Sequence, residues 1–500
     1  MCTNAPGARS PAPASTDTNE AKISNLPRRK SYRIIYQSDT SWGLANSLDV
    51  DDYLKGILGF MEGTHVDALF WGDGAGGNTA NYNSNVLELT GARIGKVAPF
   101  LQQLLQEGND PAQIVVREAQ KRGTDIFYSF RINDCHDSLG DGERLPQLLA
   151  TFKQQHPEWT IGPGHPYGGL LQLNFAVSEV RELKFAVIEE IFRKYDFDGL
   201  EIDFLRSAPH FIPGTEPAHA DILTQFLRRV RAHLNQRGEQ RGRAISIAVR
   251  VDESMEACHL DGFDVAAWVT EGLVDMIILG SGAIDTEVEA FKKLTEDTGI
   301  QVYPCLYGWP SGYNPASPEM IRALAVNYWY QGADGIYTFN WNAHTYTHRP
   351  NDELHAKFGH LVDRLREIDD PGAMRGQDKL FAADRGRPTK FYPHNWMHCI
   401  LPLTLAAGEQ AEVPIMVGED LNPSPAPKQI AFRVGLDEST TDYILEIQLN
   451  HTPLLDLTDA DSNLSCCLKP EQLITGRNQV KISVSEGEVK VSAIEIHVAY

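Results

Sequence analysis

Asp198-Gly-Leu-Glu-Ile-Asp-Phe-Leu-Arg206 alternates apolar and acidic side chains. Successive side chains of a β-strand point to opposite faces. Leu200, Ile202 and Phe204 therefore share one face, expected to lie under helices, while Glu201 and Asp203 share the other. Two acids aimed into a sheet interior are costly unless they are paired or in use. On one reading Asp203, nearer the C-terminal end, is a catalytic nucleophile or base, with Glu201 as catalytic or supporting partner. On the other, the acids form a buried ion pair with Arg131 or Arg250 that only closes the sheet.

Seven similar runs flank this one, at 33–39, 66–74 and 125–134 before it and at 244–252, 274–282, 301–309 and 335–342 after it. Helical patterns fill the intervals. Asp110-Pro opens one that stops at Gly123, Ser317-Pro opens another, and Val180, Leu183, Val187 and Ile191 form the stripe of a third. Eight strands alternating with helices predict an α/β fold, a (β/α)8 TIM barrel over residues 32–370. Short turns precede the strands and longer loops rich in glycine and aromatics follow them. That asymmetry puts the working face at the strand C-termini.

A doubly wound nucleotide-binding sheet does not fit, because no Gly-x-Gly-x-x-Gly follows the first strand and no Walker sequence occurs. Gly72-Asp-Gly-Ala-Gly-Gly-Asn78 lacks a following lysine and reads as a flexible rim loop. Residues 369–377 read as a linker. Beyond them, alternating runs at 443–450, 479–485 and 491–498 predict a jelly-roll-like β-sandwich over 371–500.

The formal net charge of −22 gives no basic surface to replace phosphate counterions, so a nucleic-acid partner is not expected. No run of about 18 apolar residues is present to span a membrane. None of the seven cysteines sits in a Cys-x-x-Cys pair. Residues 1–31, rich in Pro, Ala, Ser and Thr, are expected to be a disordered tail. Cys2 at the head of that tether is either a lipid-anchoring residue of a secreted or periplasmic protein or part of a plain tail, and a cytoplasmic location stays open.

The fifth strand repeats the alternation, with Ser246, Ala248, Arg250 and Asp252 on the inward face and Glu253 one step beyond. Glycoside cleavage needs two carboxyl groups flanking the bond, one protonated and one ionised. Asp252 or Glu253 is the expected general acid opposite Asp203, with Arg250 pairing one carboxylate. In the third strand Arg131 and Asn133 are expected to point inward, with Asp134 and His136 on the outgoing loop, where they would bond sugar hydroxyls. Arg131 serves equally as counter-ion to Glu201. His136 has no second histidine at ligand spacing, so no metal or other cofactor is expected. Trp42, Trp71, Tyr307 and Trp309, with the polar neighbours Asn340 and Asn342, suit a carbohydrate cleft, since flat rings stack on sugar faces. Trp341 falls on the outward parity of its strand.

The segment from Asp110 to Asp137, followed by 194–206, resembles the glycoside-hydrolase-like family 10 barrels, distant relatives of α-galactosidase-type barrels. The resemblance spans roughly 32–370. It implies a TIM barrel, carbohydrate hydrolysis and a nucleophilic aspartate on the fourth strand, here Asp203, without naming a sugar. The strand is also similar to the chitinase pattern Asp-Gly-x-Asp-x-Asp-x-Glu, but Leu205 replaces its terminal glutamate.

Three functions compete: a glycoside hydrolase cleaving O-glycosidic bonds, a non-catalytic glycan-binding barrel, and a metal-dependent hydrolase or lyase. A second carboxyl within about 10 Å of Asp203 across an open cleft favours hydrolysis, at about 5 Å for retention and roughly 6.5–9.5 Å for inversion. An isolated Asp203 locked to Arg131 or Arg250 favours binding.

Overall fold

A computed structural model describes residues 30–39, 44, 47–138, 145–162, 171–341, 357–389, 392–422, 424–437, 443–460 and 463–500. Cys2, Trp42 and Asn342 lie outside the described residues.

Eight parallel strands close into one barrel: β1 (Ile34–Asp39), β2 (Ala68–Gly72), β3 (Asp125–Arg131), β4 (Gly199–Asp203), β5 (Ser246–Val251), β6 (Met276–Leu279), β7 (Gln301–Tyr307) and β8 (Ile336–Phe339). β8 pairs with β1 to complete the ring. The predicted helices form where their end signals stand. Asp110 accepts the amide of Ala112 at the start of helix Pro111–Arg122, and Gly123 ends it at φ +70°. Ser317 caps helix Pro318–Tyr330 in the same way.

Period-two alternation sorts the strand residues into two cores. Leu200, Ile202, Val249 and Val251 join the large cluster between barrel and helices. Ile35, Phe70, Phe127, Ile278, Tyr337 and Phe339 fill the lumen. The register aligns Arg131 with Asp203 and Asp203 with Arg250, so three charged side chains share one level at the top of adjacent strands. The loop after β2 is buried against the exit of β3 instead of forming a free rim. Gly77 (φ +69°) lies so close there that a Cβ would collide with the carbonyl oxygen of Arg131.

Ten further strands follow: β9 (Lys379–Ala382), β10 (Leu403–Ala406), β11 (Gln410–Val417), β12 (Gln429–Leu436), β13 (Ile444–Leu449), β14 (Thr452–Pro453), β15 (Thr458–Ala460), β16 (Asn463–Leu468), β17 (Gly476–Glu486) and β18 (Glu488–Ala499). They build two antiparallel sheets, β9, β10, β12, β15, β16 and β18 in one and β11, β13, β14 and β17 in the other. The segment joining barrel to sandwich is packed: Asp369 pairs with Arg33 and His65, and Met374 is fully buried. The sandwich also grips helix Pro318–Tyr330, where Asn327 bonds Met416 and Gly418. No helix among the described residues is long and apolar enough to cross a membrane.

Candidate functional site

Asp203 closes β4 on its inward face and is locked to Arg250 of β5. Nε donates to Oδ1 at 3.0 Å and Nη2 to Oδ2 at 2.7 Å, while the Arg206 amide adds a third bond at 3.0 Å. The pair is almost wholly buried, with side chains 0% and 2% exposed. Below it, Glu201 accepts the Tyr337 hydroxyl at 2.7 Å inside the lumen. Burial, then the charge of Asp203, push the Glu201 carboxyl up to about 7.

That shift has a measurable sign. A carboxyl raised from its ordinary 4.5 to about 7 gives a contribution to stability that is complete below pH 4.5 and lost as pH rises through 7. Glu201→Gln keeps an acceptor for Tyr337 and removes the titration. Thermal melts from pH 5 to pH 8 should therefore show the wild type losing stability relative to the variant across this window. Parallel curves would show that Glu201 does not titrate there.

Asp203 is locked but not isolated. Arg131, at the same level on β3, pairs with Asp39 at 3.0 Å and lies within electrostatic reach of Asp134 and Asp203. Asp39 ends β1 on the inward parity of Ile35 and Gln37, and its side chain is 27% exposed against 3% for Asp134. A cavity of about 410 Å³ opens beside them, lined by Asp39, Lys96, Arg131, Asp134 and His136 among others. That volume suits a small-molecule site, roughly 300–1,000 Å³.

Asp134 and His136 work as a unit. His136 Nδ1 lies 2.7 Å from Asp134, and its Nε2 lies 2.5 Å from Arg206 Nη2. Because a guanidinium only donates, Nε2 is the acceptor and Nδ1 carries the proton. Burial works against ionisation of Asp134, but His136, Arg131 and Arg206 together outweigh it and hold the carboxyl well below its usual range. Arg206 also donates to the Tyr392 hydroxyl.

Asp252 and Glu253 do not join Asp203. Strand β5 ends at Val251, so alternation no longer steers them. Asp252 lies buried within electrostatic reach of Asp261, which binds His394 at 2.5 Å. Glu253 accepts Asn395 Nδ2 and the Trp396 amide, and it lines a separate crevice of about 240 Å³ with Asp384 and Arg477. Burial, then neighbouring carboxylates, raise this trio, Glu253 and Asp261 to about 8 and Asp252 well above its ordinary value. The partners come from residues 392–399, a strap ahead of β10 that crosses onto the mouth of the barrel.

The other expected residues divide. Asn133 is fully buried, donating to the carbonyls of Leu173 and Pro209 and accepting the Leu173 amide, so it ties two loops together instead of facing a ligand. Trp71 is fully buried on the helix side, stacked with Phe197, which leaves it no face for a sugar. Trp341 is likewise buried and donates to Leu306. Tyr307 and Trp309 are partly exposed and edge-to-face, and Asn340 donates to the Tyr307 hydroxyl at 3.0 Å. Asp39, Arg206, Tyr392 and Trp396 were not singled out from the sequence. Parity finds Asp39, whereas nothing local marks the two aromatics of the strap.

No family model matches the chain, and no curated protein sequence matches it. Solved structures similar to it include alpha-L-fucosidase isoenzyme 2 from Paenibacillus thiaminolyticus, at 13% identity over 71% of this chain and 52% of that chain, with a TM-score of 0.45. The PgaB (BpsB) glycoside hydrolase domain from Bordetella bronchiseptica is 12% identical over 68% of this chain and 99% of that one, with a TM-score of 0.43. TtGalA, an alpha-galactosidase from Thermus thermophilus, is 15% identical over 70% and 68%, with a TM-score of 0.38. The chain spans about half the length of the fucosidase.

Proposed function

We propose that this barrel hydrolyses an O-glycosidic bond of an oligo- or polysaccharide at the C-terminal ends of its strands. The observation that carries the reading is the convergence of Asp203, Asp39 and Asp134 on Arg131, with Asp39, Arg131 and Asp134 lining a cavity of about 410 Å³. Hydrolysis of a glycoside calls on two carboxyl groups from opposite sides of the bond. Asp203 is the nucleophile or base, oriented by Arg250 and the Arg206 amide. With Asp252 and Glu253 turned away, Asp39 is the second carboxyl, three strands round the ring and more exposed than Asp134. It handles the proton once a substrate hydroxyl has displaced Arg131 from it. Tyr307 and Trp309 offer faces for a sugar ring.

The lock of Asp203 to Arg250 favours a second reading, a barrel that binds glycans without cutting them. A hydrolysis and binding screen over glycans separates the two. Cleavage by the wild type that disappears in the double variant Asp203→Asn with Arg250→Met, with binding kept, supports the hydrolase. Glycans bound by the wild type and never cleaved support the binding protein.

A further inference from the structure

Beneath the strap 392–399 the barrel buries a group of acids that few bases answer. Asp252 and Glu253 leave β5, Asp261 follows helix Met255–Leu260, and Glu216 opens helix Glu216–Arg241; all four are buried. Asp285 and Glu287 after β6, Asp384 just past β9 and the exposed Glu256 surround them. The bases that face this group are His394 and His398 on the strap and Arg477 of β17. Both oxygens of Asp285 hold Arg477, and His398 lies 3.6 Å from Glu256. The buried Cys258 thiol donates to the Asp252 carbonyl, and burial keeps it neutral. Among the described residues that leaves His394, 2.5 Å from Asp261, to answer the buried carboxyls. Ionised carboxylates only accept, so Asp252 and Asp261 can bond each other only while one of them holds a proton.

The strap closes over these acids under strain. Glu253 accepts the Trp396 amide and Asn395 Nδ2, and Trp396 sits at φ +57°, a left-handed conformation that bulky side chains avoid. Such strain lasts only while its surroundings enforce it. We propose that residues 392–399 are a proton-held latch, seated on the mouth while the carboxyls beneath keep their protons and released in alkaline solution. Ionisation would bury charge without a partner, and lifting the strap admits the water that relieves it. A proton lost from His394 removes the counter-charge to Asp261 and acts in the same direction. Tyr392 leaves with the strap, so Arg206 loses its hydroxyl partner and the change reaches His136 at the cavity wall. The latch does not depend on what the cavity binds. Freed carboxyls titrate at their ordinary 3.8 and 4.5, whereas seated Asp261 and Glu253 titrate at about 8. The protons therefore hold the strap fully below pH 3.8, progressively less as pH rises, and not at all above about 8.

The test is fluorine NMR of the full chain labelled with 5-fluorotryptophan, from pH 5.5 to pH 9. The resonance lost in Trp396→Phe assigns the strap, and the one lost in Trp268→Phe assigns a ring fully buried between barrel and helices. The ratio of seated to lifted Trp396 is expected to fall at least about tenfold between pH 6 and pH 8, while Trp268 holds its position. Glu253→Gln keeps an acceptor for the Trp396 amide and removes one titration, so the fall should be at least about threefold smaller. The wild-type titration is decisive by itself if Glu253→Gln fails to fold. A Trp396 resonance that stays seated to pH 9, or a Glu253→Gln titration identical to the wild type, overturns the proposal. Movement of Trp268 together with Trp396 overturns it as well, because the whole barrel is then unfolding.

Discussion

Asp203→Asn combined with Arg250→Met is expected to yield a chain about as stable as the wild type and devoid of hydrolytic activity, whereas Asp203→Asn alone should lose both properties. The single change leaves a fully buried guanidinium without its counter-charge, a loss of about 3–5 kcal/mol. Replacing both partners removes the desolvation cost together with the attraction and is typically neutral or stabilising by roughly 1–4 kcal/mol. Asparagine still accepts the Arg206 amide, and methionine follows much of the arginine stem against Phe339, over which Arg250 now lies at 4.0 Å. Removing a nucleophile costs on the order of a thousandfold or more in rate whatever the stability. Urea denaturation and hydrolysis rates of the four proteins in the cycle read the two effects apart. A double variant that still cleaves glycan would show that Asp203 is an architectural ion pair.

Ending the chain after Gln377 is expected to destroy the mouth and to destabilise the barrel severely. The cut removes His394, Asn395 and the Trp396 amide, which bond Asp261 and Glu253. Both carboxyls are buried, and each bond lost from such a group costs about 1–3 kcal/mol. It also removes Tyr392 from Arg206 and strips the sandwich from helix Pro318–Tyr330, baring apolar surface that β9 and β11 now cover. Circular dichroism melts should show loss of the cooperative native transition or a large fall in Tm. A truncated barrel that melts and binds glycan as the full chain does would make the sandwich a separable module.

Within the strands the site was legible, and the reason is geometric. Alternation fixes which face each residue of β4 and β5 takes, so Glu201, Asp203 and Arg250 lie inward as expected. The same rule applied to 33–39 and 66–74 puts Asp39 inward and Trp71 of β2 outward, although composition alone suggested a sugar platform for the tryptophan. Legibility stops where the strand stops. Asp252 follows Val251 out of the strand and comes to lie near Asp261, nine residues ahead, to which no periodicity connects it. Tyr392 and Trp396 lie beyond any local rule, because their place depends on how a later sheet docks on an earlier barrel.

The strap has a consequence for biosynthesis. A ribosome adding about 5–20 residues per second releases all eight barrel strands well before it reaches Trp396. Until then Arg206 lacks Tyr392, and Glu253 and Asp261 lack their donors. The nascent barrel is therefore an unfinished tool, and the final turn of assembly acts as a safety catch. On the reading proposed above, chains terminated ahead of the strap lack the finished mouth, so activity in a lysate is expected from molecules that extend past it.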